Sequence, residues 1–250
     1  MIPPLFEYLV RHGDDRLVLG HRLSEWCGHG PILEEDIAMA NISLDLLGQA
    51  TMFLKLASQV EGQGRDEDTL AFWRDEREFR NVELVELPRG DFGVTMVRQL
   101  LFSAFAYHHL EALARSTHTE LAGIAAKAHK ESRYHLRHAA EWVLRLGDGT
   151  EESHARTQAA LDQLWPWTGE LFFQDDVDRA LQAEGAAPDL ESLRAPWETM
   201  VTEQLVKGTL VMPIAPMRMT GGRTGRHTEH LGHMLAEMQI VARSHPGAKW

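Results

Sequence analysis

The segment Lys130 to His135 has the side chains whose spacing most resembles half of a metal site. Residues three apart lie on one face of a helix. A Glu-x-x-His pair from each of two helices, with one carboxylate from each of two others, can therefore hold two iron ions inside a helical bundle. In this chain Ser132 stands three residues before His135, and a neutral hydroxyl is a far poorer ligand for oxidised iron than a carboxylate. The pattern predicts a di-iron framework from which a ligand is missing.

The other ligand positions are also incomplete. Asp45 is a carboxylate on an earlier apolar segment, but Gly48 stands where its histidine would be. Ser103, the residue nearest the depth of His135 on the preceding segment, is no carboxylate either. We therefore predict no catalytic, cofactor-binding or metal site in this chain. The polar residues left over are expected to form a relict cluster of hydrogen-bonded side chains: Asp45, Gln49, Ser103, Glu131, Ser132 and His135.

Other arrangements of possible ligands stay open. An independent metalloenzyme or ferroxidase would use a degenerate site at Asp45, Glu131 and His135. His227, His230 and His233 are spaced so that a helix brings them near one face, where they could bind zinc or nickel adventitiously. The one literal Glu-x-x-His pair, Glu151 to His154, follows a Gly-Asp-Gly break, and we expect it to be the exposed first turn of a helix.

Apolar residues at helical spacing, interrupted by glycine and proline, predict an all-α fold without strands. The segment from Ile32 to Val60 is apolar on most faces, which indicates a central helix. The segments from Phe92 to about Ser116 and from Glu120 to about Leu146 predict an antiparallel hairpin. We expect helices from Asp66 to Asn81, from Glu151 to Phe173 and from His227 to Ser244. Nothing indicates a boundary, so a single domain over residues 1–250 is expected.

Composition limits the classes of function. A formal net charge of −12 argues against nucleic-acid binding, which needs a basic surface. The single cysteine, Cys27, excludes an internal disulfide and any cysteine-rich metal site. We see no signal peptide and no membrane span, so a cytoplasmic location is expected. The segment Arg218 to Arg226 predicts a flexible basic loop, which could meet a phosphate or an acidic partner or could simply be solvated.

Six segments spread over the chain resemble one protein family, the C subunits of bacterial ring-1,2-phenylacetyl-CoA epoxidases, also called phenylacetate-CoA oxygenases. The matching segments are Arg22–His29, Ser43–Ala50, Asp66–Phe72, Arg74–Arg77, Lys130–Arg137 and His227–Gly232. The resemblance implies a ferritin-like four-helix bundle with additional N- and C-terminal helices. It also implies a place in a multicomponent di-iron monooxygenase of aerobic phenylacetate degradation.

In that family the C subunit lacks a working metal site and pairs with a homologous catalytic A subunit that carries the di-iron centre. A reductase supplies electrons from NADPH, and O2 epoxidises the ring of phenylacetyl-CoA. The resemblance therefore implies a structural subunit that pairs with and stabilises its catalytic partner. Aromatic residues are candidates for an exposed interface patch, although each taken singly could equally pack inside the fold: Trp165, Trp167, Phe172, Phe173 and Trp197. A free-standing scaffold unrelated to oxygenation is the remaining alternative.

Overall fold

The computed structural model describes residues 3–218 and 221–248, and every regular element within these ranges is a helix. The α-helices are α1 (Pro4–Ser24), α2 (Leu33–Glu61), α3 (Glu67–Phe72), α4 (Glu83–Glu86), α5 (Phe92–Leu113), α6 (Thr119–Gly147), α7 (Glu151–Leu164), α8 (Asp176–Ala183), α9 (Arg194–Lys207) and α10 (Glu229–Ser244). Short 3-10 helices span Glu76–Glu78, Trp165–Phe172, Glu191–Leu193 and Gly222–Thr224. The all-α fold class is confirmed.

Packing divides the chain into two compact units, Met1–Pro88 with Thr220–Trp250, and Arg89–Met219. Each unit contains one long helical hairpin, and such hairpins are the components of a ferritin-like bundle. The expected single domain over residues 1–250 stays a prediction.

In the first unit α1 and α2 form an antiparallel hairpin with a closely packed seam. A Cβ at Gly13 would lie 2.8 Å from Leu54 Cδ2, so any larger residue there would force the Leu54 side chain to shift. Further along the seam, the Ser43 hydroxyl donates a hydrogen bond to the Gly20 carbonyl over 2.7 Å. These glycines, which weaken helix propensity in the sequence, therefore serve helix packing.

In the second unit α5 and α6 form the predicted antiparallel hairpin. The Phe92 and Trp142 rings meet edge to face with centroids 4.9 Å apart, and His129 Nδ1 lies 3.2 Å from the Tyr107 carbonyl oxygen. α9 joins this hairpin through Trp197, whose Nε1 donates to the Leu101 carbonyl over 2.9 Å. α7 begins at Glu151 as predicted, behind a capping box formed by Thr150 and Ser153.

Three predicted helix boundaries are wrong. The helix expected from Asp66 to Asn81 ends at Phe72, and Arg74 beyond it turns its guanidinium onto the buried Asp14 carboxylate. α7 ends at Leu164 because Pro166, in the 3-10 segment that follows, has no N–H to continue the helix. α10 begins at Glu229 rather than His227, since the ring of His227 is held by side-chain contacts described below.

By length and composition α2 is the one described helix that could cross a membrane, although 44% of its most apolar window is buried inside the chain. Such a helix is also found in the cores of proteins without membrane spans, so this observation alone decides nothing.

Candidate functional site

The motif on α6 lies with its key positions inside the fold. Ser132 and His135 are buried, with exposed fractions of 2% and 3%, while the intervening Arg133 and Tyr134 face outward. The inward row on α6 reads Leu121, Ala125, Ala128, Ser132, His135, Ala139 and Val143, which is the spacing of one helix face. The residue in the position of the missing ligand is therefore a buried, neutral hydroxyl.

Ser103 on α5 lies at the same level of its hairpin as Ser132. Phe92 opposite Trp142 and Tyr107 opposite His129 fix the antiparallel register. Ser103 is 2% exposed. The depth predicted for Ser103 from the sequence is consistent with this register, and the hairpin presents two neutral hydroxyls where di-iron proteins use carboxylates.

On α2 the polar positions are divided between two faces. Gln49 is buried and accepts a hydrogen bond from Arg16 Nε over 3.0 Å, whereas Asp45 is half-buried. Asn41 and Gly48 are exposed, and no atom from beyond its own stretch of helix lies within 4 Å of a Cβ built at Gly48. Of the two expected cluster residues on α2, only Gln49 is therefore fully inside the fold.

The partner of Gln49 was not foreseen from the sequence. Arg16 is buried, donates to the His12 carbonyl over 2.9 Å, and lies 4.7 Å from the centre of the Phe53 ring. Burial lowers the pKa of Arg16 to about 10, although the Asp15 carboxylate acts in the opposite direction. Gln49 thus belongs to a packed network around α1. The wider relict cluster, which includes the half-buried Glu131, stays a prediction.

The donor set does not fit a di-iron centre. Within residues 3–218 and 221–248, no group of three His, Cys, Asp or Glu side chains is placed so that it could hold a metal ion. Ser103 and Ser132 supply hydroxyls where the two irons need carboxylate charge. We therefore derive no chemical step through a metal in this chain.

The histidines at 227, 230 and 233 do not form the predicted helical row. His227 lies before α10, with Nδ1 2.7 Å from Glu86 Oε2 and Nε2 3.0 Å from the Phe79 carbonyl oxygen. Both ring nitrogens are therefore engaged, and His227 has none left for a metal. His233 is exposed on α10. The prediction that the three histidines share one helix face is wrong, because His227 lies before α10 and its ring is held by Glu86 and the Phe79 carbonyl.

Buried charges around α1 form a polar network in the first unit. Asp14 receives two hydrogen bonds from the Arg74 guanidinium and one from the Arg80 amide, the latter over 2.8 Å. Asp15 receives two from Arg223, at 3.0 and 2.8 Å. Burial raises the pKa of Asp14, and the Arg74 guanidinium acts in the opposite direction. The signal in the sequence was the run of three charged residues, Asp14-Asp15-Arg16, in the middle of α1.

A second group of contacts holds the start of α10. Besides His227, the Glu86 carboxylate accepts hydrogen bonds from the Asn81 side chain over 2.8 Å and from the Thr228 amide over 2.6 Å. Arg22 of α1 donates to the Glu86 and His230 carbonyls over 2.7 and 3.0 Å. These bonds attach the C-terminal helix to α1 and to the segment before Pro88.

The basic loop is only partly as predicted. Arg223 is buried in a short 3-10 helix and paired with Asp15, so it cannot bind a phosphate from solvent. Arg218 and Arg226 are exposed, while Met219 and Thr220 lie outside the described residues. The expectation of a wholly flexible basic loop is wrong at Arg223, because the buried Asp15 carboxylate requires a partner.

The predicted aromatic interface patch is an internal cluster. Trp197 is fully buried, its ring stacks on Trp165 with centroids 5.5 Å apart, and Phe172 meets it at 5.2 Å. Phe172 also contacts Phe105 of α5. Trp167 and Phe173 are half-buried. The prediction of an exposed patch is wrong because these rings seal the hairpin of the second unit against α9.

One exposed apolar surface lies on α2. Leu33, Ile37 and Leu44 are 71%, 52% and 66% exposed, and their spacing places them on one helix face with Gly48 and Thr51. We call this surface, from Leu33 to Thr51, the outer face of α2. A contiguous apolar strip of this kind on a folded chain is typical of an interface with another protein.

Comparison with known proteins identifies the family of this chain. The sequence profile of the family described as phenylacetic acid catabolic protein, PaaA_PaaC, matches residues 2–250. The chain belongs to the phenylacetic acid catabolic protein family. Among its curated relatives, the C subunit of the 1,2-phenylacetyl-CoA epoxidase of Escherichia coli (strain K12) is 51% identical over 246 residues, covering 98% of this chain and 99% of that protein.

The resemblance drawn from the six sequence segments is thereby confirmed. A phenylacetic acid catabolic protein similar over its whole length to an epoxidase subunit is a component of an oxygenase complex.

Proposed function

We propose that this chain is the non-catalytic structural subunit of a multicomponent phenylacetyl-CoA 1,2-epoxidase in aerobic phenylacetate degradation. It pairs with and stabilises the homologous di-iron catalytic subunit, and the assembly, with a reductase, uses NADPH and O2. The chain acts in the cytoplasm without contacting nucleic acid or membrane, and it folds as one ferritin-like domain. The 51% identity to the C subunit of an epoxidase, over nearly the whole length, supports its place in such a complex.

The observation that carries the non-catalytic role is the buried Ser132 on the inward face of α6. A di-iron site needs carboxylate charge to offset the charge of the metal ions. Ser132 supplies none, and Ser103 across the hairpin supplies none either. The electron and oxygen chemistry of the assembly then belongs to the homologous subunit.

The outer face of α2 supports the pairing. Covering Leu33 and Leu44 would remove apolar surface from water at roughly 25 cal/mol per Å². From Leu33 to Thr51 the face is about 27 Å long, and a helix is about 10 Å wide, so the face covers roughly 270 Å². A stable interface needs about 800 Å² per partner, so α2 would be the central third of it.

Charge favours a different subunit over a second copy of this chain as the partner. Two chains with a formal net charge of −12 repel each other as they approach. A homologous helical protein of different charge can present a matching helix face without that repulsion. Gly48, exposed in the middle of the face, leaves room for a partner helix to come close.

Co-expression with the di-iron catalytic subunit tests the proposal. We expect the two chains to elute together in size-exclusion chromatography, and we expect NADPH- and O2-dependent epoxidation of phenylacetyl-CoA only when both are present with the reductase. Separate elution of two folded chains, or full activity of the catalytic subunit without this chain, would contradict the proposal.

A further inference from the structure

Two open clefts flank α3 in the first unit, one on each side of the helix. The smaller, with a cavity volume of about 240 Å³, lies among α1, α2 and α3, and the larger, of about 370 Å³, lies between α3 and α10. Asp68 and Phe72, one turn apart on α3, line both clefts and form the ridge between them. We call this surface the α3 clefts.

The α3 clefts continue the outer face of α2. Thr51, the last residue of that face, lines the smaller cleft together with Leu47, its half-buried neighbour on α2. The outer face of α2 covers roughly 270 Å² of the about 800 Å² that a stable interface needs from each partner. Surface that adjoins this face must supply the remainder, and the α3 clefts adjoin it within the same unit.

Hydrogen bonds fix the walls of the larger cleft. The Gln239 side chain of α10 donates to the Ala71 and Arg74 carbonyls over 3.2 and 3.0 Å. Arg243 Nε, also on α10, donates to the Phe72 carbonyl over 3.2 Å. Because these walls are already in place, a partner that fills the cleft has little conformational entropy to remove from this chain.

The α3 clefts combine apolar walls with negative charge. Trp73 and Val241, which are 46% and 54% exposed, present apolar surface to the larger cleft. The described residues that line the two clefts include no Lys or Arg, but they include three carboxylates: Asp66, Glu67 and Asp68. The clefts therefore suit apolar side chains that have a positive charge at their edge.

The chain itself does not offset this negative charge. Within residues 3–218 and 221–248, neither Glu67 nor Asp68 forms an ion pair, and the adjacent Arg65 is paired with Glu61. Burial and the two neighbouring carboxylates raise the pKa of Asp68. Burial lowers the pKa of His21, which lines the smaller cleft, so this ring is neutral near pH 7. A cation from another chain would relieve the repulsion among these carboxylates.

We propose that the α3 clefts bind the same di-iron catalytic subunit that covers the outer face of α2, through apolar side chains flanked by a lysine or an arginine. The apolar side chains fill the clefts, and the cation lies beside Asp68 and over the Trp73 ring, where both groups attract it. A second copy of this chain, with its formal net charge of −12, would add negative charge instead. This inference rests on the proposed function, which supplies the partner.

Dilution of the purified complex tests the apolar contact. Trp73→Ala should raise the dissociation constant of the two chains, measured by analytical ultracentrifugation, by about tenfold or more, as expected for an aromatic anchor of an interface. Tyr134→Ala, at a ring 41% exposed in the other unit, is the matched control and should leave the dissociation constant unchanged. Circular dichroism and urea titration of the isolated variants establish that both are folded.

Charge variants test the predicted cation. Asp68→Lys should also weaken the complex about tenfold or more, because it brings two like charges together in the interface. Asp68→Asn should make the dissociation constant depend less on salt concentration than in wild type. Glu203→Lys makes the same change of charge at an exposed residue of α9 and should have a much smaller effect. Equal weakening by Asp68→Lys and Glu203→Lys would assign the effect to net charge and overturn the inference.

The remaining outcomes distinguish the inference from the proposed function. If Leu44→Asp dissociates the complex while Trp73→Ala and Asp68→Lys leave it intact, the α3 clefts lie outside the interface, and the inference is overturned while the pairing stands. If Trp73→Ala releases the reductase, or abolishes self-association of this chain, and leaves the catalytic subunit bound, the occupant is a different one and the inference is overturned as well. If the wild-type chains elute separately, both the pairing and the inference fail.

Discussion

Single side chains decide what chemistry this chain can perform. Ser132, on the inward face of α6, is a buried neutral hydroxyl at the position where a Glu-x-x-His pair has its carboxylate, and by the proposal it leaves a metal pair without the charge on which it depends. The same argument applies to Ser103 on the facing helix. His135 is buried, and by the proposal it serves packing and hydrogen bonding.

His135→Ala separates a structural role from a catalytic one. Losing a buried imidazole should reduce the free energy of unfolding by about 1–3 kcal/mol, because its neighbours lose contacts and hydrogen bonds. Urea titration of the chain measures this loss. Epoxidase activity of the reconstituted complex, per mole of folded chain, is expected to stay within about twofold of wild type at a temperature where the variant is folded. An activity that disappears while the complex remains intact would favour the independent metalloenzyme.

His227 should make the free energy of unfolding of the first unit depend measurably on pH. Burial, the largest influence on its ring, lowers the pKa, but the hydrogen bond and charge of Glu86 raise it more, so the pKa lies above its ordinary value of 6.5. A raised pKa contributes stability that is complete below about pH 6.5 and is lost as pH rises through the folded-state value.

The difference in unfolding free energy between wild type and His227→Gln measures that contribution. We expect the difference to be largest near pH 6 and to shrink toward pH 9, since the wild-type imidazole then loses its charge beside Glu86. Guanidinium titrations at several pH values provide the measurement. A difference that grows with rising pH would show that the pKa is lowered instead.

At the scale of elements, buried ion pairs attach the C-terminal segment to α1. Arg223, in the 3-10 helix Gly222–Thr224, pairs with Asp15 where both side chains are buried. A buried ion pair adds little net stability, but removing one partner leaves the other charge buried without a partner. The network therefore acts mainly to fix where the segment before α10 lies.

Arg223→Gln should accordingly cost about 3–5 kcal/mol of unfolding free energy, because Asp15 keeps its charge without its main partner. Arg226→Gln, three residues away and exposed, is the matched control and should change stability by less than about 0.5 kcal/mol. The double variant Asp15→Asn, Arg223→Gln should lose less than the sum of the single losses. Equal effects of Arg223→Gln and Arg226→Gln would place Arg223 outside any buried network.

The elements themselves were largely predictable from the sequence, and the connections were not. The helical spacing of the apolar residues and the breaks at glycine predicted the hairpin of α5 and α6, because both patterns reflect local structure. The early end of α3 was missed because Arg74 pairs with Asp14, which is 60 residues away in the sequence. The internal aromatic cluster was missed because Trp197 contacts α5, which is also distant in the sequence. At the site, Ser132 and His135 were placed correctly by helical spacing alone, whereas Arg16, the partner of Gln49, comes from a tertiary contact.

For the molecule as a whole, the proposed pairing uses a surface that the isolated chain leaves in water. Over half of the most apolar window of α2 is not buried inside the chain. Its exposed leucines contribute little to folding and, by the proposal, much to assembly. Stability of the chain and stability of the complex should therefore respond separately to substitution there.

Leu44→Asp tests this separation. Leu44 is 66% exposed, so the free energy of unfolding of the chain should change by less than about 0.5 kcal/mol. Binding to the catalytic subunit should weaken by at least about tenfold, because a charge would be buried in the interface without a partner. Ile240→Asp on α10, at a residue 58% exposed, is the control and should leave co-elution unchanged. Weakening by both variants alike would assign the effect to net charge.

The central claim is that a di-iron framework persists here without the means to hold iron. It is tested most directly by anaerobic reconstitution of the purified chain with ferrous iron, followed by removal of excess metal and measurement of bound iron per chain. We predict well below one equivalent in this chain, alone or in the complex, and a di-iron content confined to the catalytic subunit. Iron near two equivalents per chain in the isolated protein would contradict the account.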